Sequence, residues 1–109
     1  MNDLGLDVID AMRFESIFGG LPVEDGEDYF ENGISFLKKA EYLCMFDFGK
    51  QFVYTRSCSD MKTIMVHYDG CKFLLIVRIY AIKIFSGIGE DLIKLMKKAY
   101  AEITQWSDR

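Results

Sequence analysis

The sequence has little of the chemistry that metal sites, redox centres and catalytic triads require. Its 109 residues include one histidine, one proline and three cysteines. Cys44, Cys58 and Cys71 form no CxxC pair, and their odd number argues against a disulfide framework. A zinc site needs three or four ligands, which one histidine and scattered cysteines do not supply. These shortages predict a protein without metal or cofactor, in a reducing, cytoplasmic location.

No hydrophobic run is long enough to cross a membrane. The longest, FLLIVRIYAIKIF, has 13 residues and contains Arg78 and Lys83, whereas a membrane helix needs about 20 apolar residues. The first ten residues carry three acids and no base, the reverse of a secretory signal. We therefore expect a soluble protein with no membrane partner.

Acidic charge is concentrated near the N-terminus. Residues 1–31 contain nine acids and one base, a charge of −8, and residues 32–109 contain eight acids and twelve bases, a charge of +4, which sum to −4. Such polarity can steer a basic partner, although the acidic segment could equally lie near basic residues of its own domain.

The basic face of Lys94, Lys97 and Lys98 has no aromatic residues between the lysines, and the pI is about 4.9, so nucleic-acid binding is not expected.

Hydrophobic periodicity predicts an α+β fold in one domain, residues 1–109. An acidic helical region, 1–40, contains two helices, over residues 3–18 and about 27–40. A period of two then predicts an antiparallel β-meander of four to five strands over 41–86. The clearest helical stripe, including Leu92, Met96, Ala99, Ile103 and Trp106, predicts a C-terminal helix over 89–106. We expect the two N-terminal helices and the C-terminal helix to pack on the sheet.

Details of the helices follow from capping and spacing. In the first helix, which Asp3 can cap, Val8, Met12 and Ile17 lean to one side and are the candidate buried residues. Asp25 is the candidate cap of the second helix.

The first hairpin turns near Gly49. A three-residue loop would place Phe48 opposite Phe52 and Phe46 opposite Tyr54, which gathers the aromatic side chains on one face. We prefer that register for this reason.

The second hairpin predicts two apolar faces. A two-residue turn at Asp69-Gly70 pairs Tyr68 with Cys71 and Val66 with Phe73, and one face is then the core. The other face is too apolar to be fully solvated, so we expect a helix of this chain or a partner to cover it. The candidate residues of this second interface are Met65, His67, Leu74, Ile76, Arg78 and Tyr80.

The stretch 71–85 is too long for one strand of so small a domain, since it would span roughly 50 Å at about 3.3 Å per residue. We expect it to bend or break between Arg78 and Ala81. Gly87 and Gly89 should then form the turn into the last helix.

The stretch LPVEDGEDYFE, residues 21–31, is the most acidic part of the chain. As a calcium loop it fails, because placing Gly26 at the sixth position puts Leu21 at the first. Its carboxylates look alike and solvated, which does not suit a catalytic pair. Two interpretations stay open, a solvated helix start and a docking surface for a basic protein. The candidate partner-binding residues are Glu24, Asp25, Glu27, Asp28, Tyr29, Phe30 and Glu31.

The single histidine does not predict catalysis. His67, Asp69 and Cys71 surround one hairpin, and the alternation of side chains separates Cys71 from His67. We name no catalytic residue and expect a binding protein rather than an enzyme.

In size, predicted architecture and acidity the chain is similar to immunity proteins, which neutralise a basic toxin nuclease by binding it. That resemblance implies an inhibitor of a basic protein. Residues 41–105, with the helix GEDLIKLMKKAYAEI, resemble the roadblock/longin platforms, which implies a homodimeric scaffold. A small-ligand-binding or enzymatic α+β domain is the third hypothesis.

Overall fold

A computed structural model describes residues 8–22, 28–57 and 61–107, with side chains of the last helix described as far as Thr104. The fold is α+β, as predicted. The helices are α1 (Val8–Phe18), α2 (Tyr29–Lys39) and α3 (Leu92–Ser107), and the strands are β1 (Leu43–Phe48), β2 (Gln51–Ser57), β3 (Lys62–Tyr68), β4 (Phe73–Ile79) and β5 (Ile82–Gly89).

The five strands form one antiparallel sheet in the order β1-β2-β3-β4-β5. This confirms the predicted meander, with two helices before it and one after it. Only residues 58–61 separate β2 from β3, whereas the roadblock/longin platforms place a helix there. Four residues give about one helical turn, so the connectivity departs from that resemblance.

One face of the sheet forms the core with all three helices. Buried residues alternate along β4, where Phe73, Leu75, Val77 and Ile79 are covered and the residues between them are half-buried. The helices contribute the remaining core residues, among them Phe14 and Phe18 of α1, Phe36 and Leu37 of α2, and Leu92, Ile93, Met96, Ala99, Tyr100 and Ile103 of α3. The three helices therefore lie on the same side of the sheet.

The predicted buried side of α1 is wrong. Phe14 and Phe18 are fully buried, whereas Val8 and Met12 are exposed and Ile17 is half-buried. The two phenylalanine rings are four positions apart and their centroids lie 4.6 Å from each other. Burying two aromatic rings removes more apolar area from water than burying the smaller aliphatic side chains. Asp3 lies outside the described residues.

Helix α2 begins later than predicted, with Asp28 as its cap. The Oδ1 atom of Asp28 accepts a hydrogen bond from the backbone N–H of Glu31 at 3.1 Å. Asp28 is followed three residues later by Glu31, as a capping box requires, whereas the predicted cap Asp25 is followed at the same spacing by an aspartate. Asp25 lies outside the described residues.

The register of the first hairpin differs from the prediction by one residue. Phe48 pairs with Gln51 across a two-residue turn, and Gly49 has a φ of 64°, the positive value that such turns require. A slip of one residue exchanges the faces of a strand. Phe46 and Phe48 therefore lie on the face opposite Phe52.

The register of the second hairpin differs by two residues. Tyr68 pairs with Phe73, and Val66 with Leu75, because the connection contains four residues rather than two. Asp69 holds it, since its Oδ1 atom accepts hydrogen bonds from the backbone N–H groups of Cys71 at 2.8 Å and Lys72 at 2.9 Å. A shift of two residues preserves the faces, so the predicted pairs are wrong and the predicted faces are confirmed.

The predicted break in the long apolar stretch is confirmed. Tyr80 and Ala81, with φ of 52° and 71°, form a tight turn between β4 and β5. The prediction that Gly87 and Gly89 form a turn is wrong, because both lie within β5. A Cβ atom on Gly87 would lie 3.1 Å from Leu95 of α3, so this glycine allows the helix to approach the sheet closely.

Helix α3 begins at Leu92, and Asp91 precedes it with its Oδ1 atom accepting from the backbone N–H of Lys94 at 3.2 Å. Four members of the predicted stripe, Leu92, Met96, Ala99 and Ile103, are buried. The side chain of Trp106 is outside the described part.

Candidate protein-interaction face

The sheet face that points away from the helices carries three rows of side chains, each running across the strands; we call it the open face. Strand pairing defines the rows, because directly opposed residues of antiparallel strands project to the same side. The first row is Phe46, Val53, His67, Leu74 and Ile88; the second is Leu43, Thr55, Met65, Ile76 and Ser86; the third is Ser57, Thr63, Arg78 and Lys83.

The first two rows contain seven apolar side chains and no buried residue. Leu43 at one edge is 64% exposed and Ile88 at the other is 67% exposed. Phe48, just beyond the first row, is 77% exposed. Residues nearer the centre, such as Met65 and Ile76, are half-buried.

The open face extends across all five strands of the sheet. Five strands about 4.8 Å apart and three rows about 6.6 Å apart give a projected area of roughly 500 Å². The first two rows, which hold the apolar side chains, account for roughly 300 Å² of it, at the lower end of the range of about 300–600 Å² for the largest apolar patch on an ordinary monomer. Within residues 8–22, 28–57 and 61–107, no helix or loop packs on this face, so the cover that the sequence predicts does not come from those segments.

One end of the open face is basic. Arg78 and Lys83 oppose each other directly on β4 and β5, next to a bulge between Val77 and Arg78. Two like charges in this position repel each other. None of the side chains in the three rows is a carboxylate. The polar third row thus forms a positive rim beside an uncharged apolar centre.

His67 lies at the centre of the open face. It is half-buried in the middle strand, and its neighbours within the row are Val53 and Leu74. Hydrogen bonds from the backbone N–H groups of Lys72 and Cys71 lower the pKa of nearby Asp69, so that carboxylate belongs to the turn. Among the described residues, no group of three or more histidine, cysteine or acidic side chains could hold a metal ion.

Most of the residues predicted for the second interface lie on one face of the sheet. Met65, His67, Leu74, Ile76 and Arg78 share the open face. Tyr80 lies beyond it in the β4–β5 turn and is 64% exposed. Sequence reasoning missed Leu43, Phe46, Phe48, Val53 and Ile88. The two-residue turn with Gly49 was the signal that could have placed the phenylalanines there.

Residues 28–31 of the acidic stretch lie on the helix side of the sheet. The ring of Phe30 packs with Tyr68 at a centroid distance of 4.9 Å and with Phe73 at 6.3 Å, both on the helix side of the sheet. Tyr29 is 49% exposed and Glu31 is exposed beside it. Glu24, Asp25 and Glu27 lie outside the described residues. The described residues of the two predicted interfaces therefore lie on opposite sides of the sheet.

A groove of about 630 Å³ separates α2 from the first hairpin on the helix side. Phe30, Phe52, Tyr54 and Tyr68 are among the residues that line it. Burial is the main cause that raises the pKa of Tyr54 and Tyr68 above the ordinary value of 10.0. Both hydroxyls are therefore neutral hydrogen-bonding groups, as tyrosine hydroxyls ordinarily are at physiological pH. This groove is compatible with the small-ligand hypothesis.

Comparisons with known proteins found no matching family model, curated protein or solved structure. None of the described helices has the length and hydrophobicity needed to span a membrane. The open face is thus the main basis for a functional assignment.

Proposed function

We propose that this chain is a protein-binding module and that the open face is its contact surface. The observation that carries the proposal is the unequal cover of the sheet. All three helices pack on one face, and the seven apolar side chains of the first two rows on the other face have no cover among the described residues.

The layout of the open face suits a protein partner. Protein interfaces have an apolar centre surrounded by polar groups, and here Met65, Leu74 and Ile76 are bounded by Thr63 and Arg78. Covering roughly 500 Å² on each partner, about half of it apolar, contributes roughly 12 kcal/mol at about 25 cal/mol per Å². Association costs about 4–15 kcal/mol, so the affinity depends on how well the partner fits.

The same face supports a binding role rather than a catalytic one. A nucleophile or general base needs a partner within hydrogen-bonding reach. His67 is flanked in its row by Val53 and Leu74, which are apolar.

A matched pair of variants tests the proposal. Met65→Arg places a charge at the centre of the open face, and Met12→Arg places the same charge on α1, where Met12 is 66% exposed. We expect Met65→Arg to weaken binding to each identified and purified partner at least tenfold, about 1.4 kcal/mol, and Met12→Arg to leave it within about twofold. Titration calorimetry measures both. Partners that bind Met65→Arg as tightly as the wild type would overturn the assignment.

The inhibitor of a basic partner is the second candidate, and the charge of −8 over residues 1–31 favours it. In this case Tyr29 and Glu31, which are exposed on the helix side, belong to the contact surface together with Glu24, Asp25 and Glu27. Changing Glu24, Asp25, Glu27 and Glu31 together to alanine should slow association with a basic partner. Added salt should slow the association of the wild type with the same partner. Unchanged association rates in stopped-flow measurements would exclude this candidate.

A further inference from the structure

We infer that the partner of the open face is a second copy of this chain, so that two sheets pack face to face in a symmetric dimer. This inference rests on the proposed function, because it names the occupant of the same surface. The symmetry of most soluble oligomers requires an interface that uses one patch on both subunits, and the open face meets three conditions for such self-association.

The first condition is area. A specific interface buries about 800 Å² of accessible surface per partner. The projected area of the open face is roughly 500 Å², and its accessible area is larger because side chains such as Phe48 and Ile88 protrude from it. Crystal-packing contacts are mostly below about 400 Å² per partner. Two such faces together reach the total of about 1,000 Å² that a biological interface requires.

The second condition is self-complementarity. A two-fold axis that runs across the strands, between the first and second rows, places the first row of one copy on the second row of the other. Both rows are mainly apolar, so each side chain near the axis meets an apolar layer. In the middle strand the axis passes between Met65 and His67. Two packed sheets are about 10 Å apart, the thickness of one interdigitated layer of side chains.

The third condition is charge. The same axis sends the basic third row of the two copies to opposite ends of the interface, about 20 Å apart along the strands. This separation exceeds the Debye length of about 8 Å at physiological ionic strength, so the Arg78–Lys83 pairs of the two copies are screened from each other. The acidic Asp28 and Glu31 lie on the helix side, which faces outward in such a dimer.

An acidic partner protein is the alternative that the basic rim allows. The two occupants differ in their dependence on salt. An apolar contact with its charges at opposite ends should change little between low and high salt, whereas an acidic partner held by Arg78 and Lys83 should be lost as salt rises.

Sedimentation velocity of the purified chain over a range of concentrations tests the inference. We expect the wild type and the control Met12→Arg to be dimers at micromolar concentration, with little effect of salt. We expect Met65→Arg and Ile88→Arg to be monomers, with a dimer dissociation constant raised at least about tenfold. Ile88 is 67% exposed, so its substitution is compatible with folding, which circular dichroism checks for both variants.

The outcomes separate this inference from the proposed function. A wild type that stays monomeric at every concentration overturns the second-copy assignment, as does a dimer that both open-face variants leave intact. If the wild type is monomeric and Met65→Arg still weakens a purified, identified partner, the protein-binding function stands with a different occupant. If neither self-association nor partner binding responds to Met65→Arg, both assignments fail.

Discussion

The two faces of the sheet differ in cover far more than in composition. Along β4, Leu75 and Val77 are buried under the helices, and Leu74 and Ile76, which alternate with them, are on the open face. Side chains of a strand whose second face is solvated usually alternate between apolar and polar. Here burial alternates and hydrophobicity does not, so the strand carries apolar residues that the described fold does not use. That excess is what points to a partner.

The largest difference between the faces should appear when a leucine or isoleucine is truncated. Leu75→Ala removes a fully buried side chain and should lower the free energy of unfolding by about 2–5 kcal/mol. Its neighbour Ile76 is half-buried on the open face, and Ile76→Ala should lower the free energy of unfolding by less than about 1 kcal/mol. Urea unfolding measures both, at a concentration low enough that the midpoint does not depend on concentration. Equal losses would mean that the two faces are covered alike.

A second prediction concerns how closely the helices cover the sheet. A Cβ atom on Gly33 of α2 would lie 2.8 Å from the Cζ atom of Phe73. Gly33→Ala should therefore cost about 1–3 kcal/mol through overpacking, although alanine is the better helix former by about 1 kcal/mol. The control is Ser35→Ala in the same helix, at an exposed position, which should be neutral or stabilising in thermal unfolding. A stabilised Gly33→Ala would contradict the close contact.

A third prediction tests the attachment of α1 to the covered side. The hydroxyl of Tyr100 donates a hydrogen bond to Asp10 Oδ1 at 2.7 Å, and Tyr100→Phe should cost about 1 kcal/mol. Burial, followed by the effect of Asp10, raises the pKa of Tyr100 above its ordinary value of 10.0. A raised pKa in the folded state means that the stabilisation is present below about pH 10 and is lost as the pH rises through the folded value.

The pH profile of stability in the alkaline range checks this sign. The wild type should lose its advantage over Tyr100→Phe there, while exposed Tyr80→Phe should follow the wild type. An advantage that persists at the highest pH would argue against the hydrogen bond.

The smallest expected effect is on the open face itself. Arg78 and Lys83 oppose each other with like charges, so Lys83→Gln should raise the stability of the monomer by about 0.2–1 kcal/mol at low salt, and less at high salt. A double-mutant cycle with Arg78→Gln isolates the repulsion. A coupling of zero would show that the pair is already relieved within the monomer.

The two hairpins show what the sequence can and cannot determine. Both registers were predicted wrongly. The two-residue error at Asp69 left the residues of β3 and β4 on their predicted faces, whereas the one-residue error at Gly49 exchanged the faces of Phe46 and Phe48. In the first hairpin, aromatic clustering led to the predicted register with a three-residue loop. The observed register has a two-residue turn, whose geometry suits the positive φ of Gly49. Pattern alone cannot settle a shift of one residue when both faces are apolar.

The helices show the same distinction. The existence of three helices followed from hydrophobic spacing, but the buried side of α1 did not, because Phe14, Val8 and Met12 are all apolar candidates. For the candidate site, the alternation of side chains along β3 and β4 correctly predicted that Met65, His67 and Leu74 share one face. Which face the helices cover depends on long-range packing, which local spacing does not contain.

The attachments of α1 set an order in which the protein can be completed on the ribosome. Ile17 accepts a hydrogen bond from Arg56 Nε at 3.2 Å, 39 positions later in the chain, and Asp10 accepts one from Tyr100, 90 positions later. Helix α1 is synthesised before the strand and the helix that hold it, so its attachment through Arg56 can form before its attachment through Tyr100. Until α3 is synthesised, Phe14 lacks the cover of the Tyr100 ring, whose centroid lies 5.9 Å from its own in the folded protein.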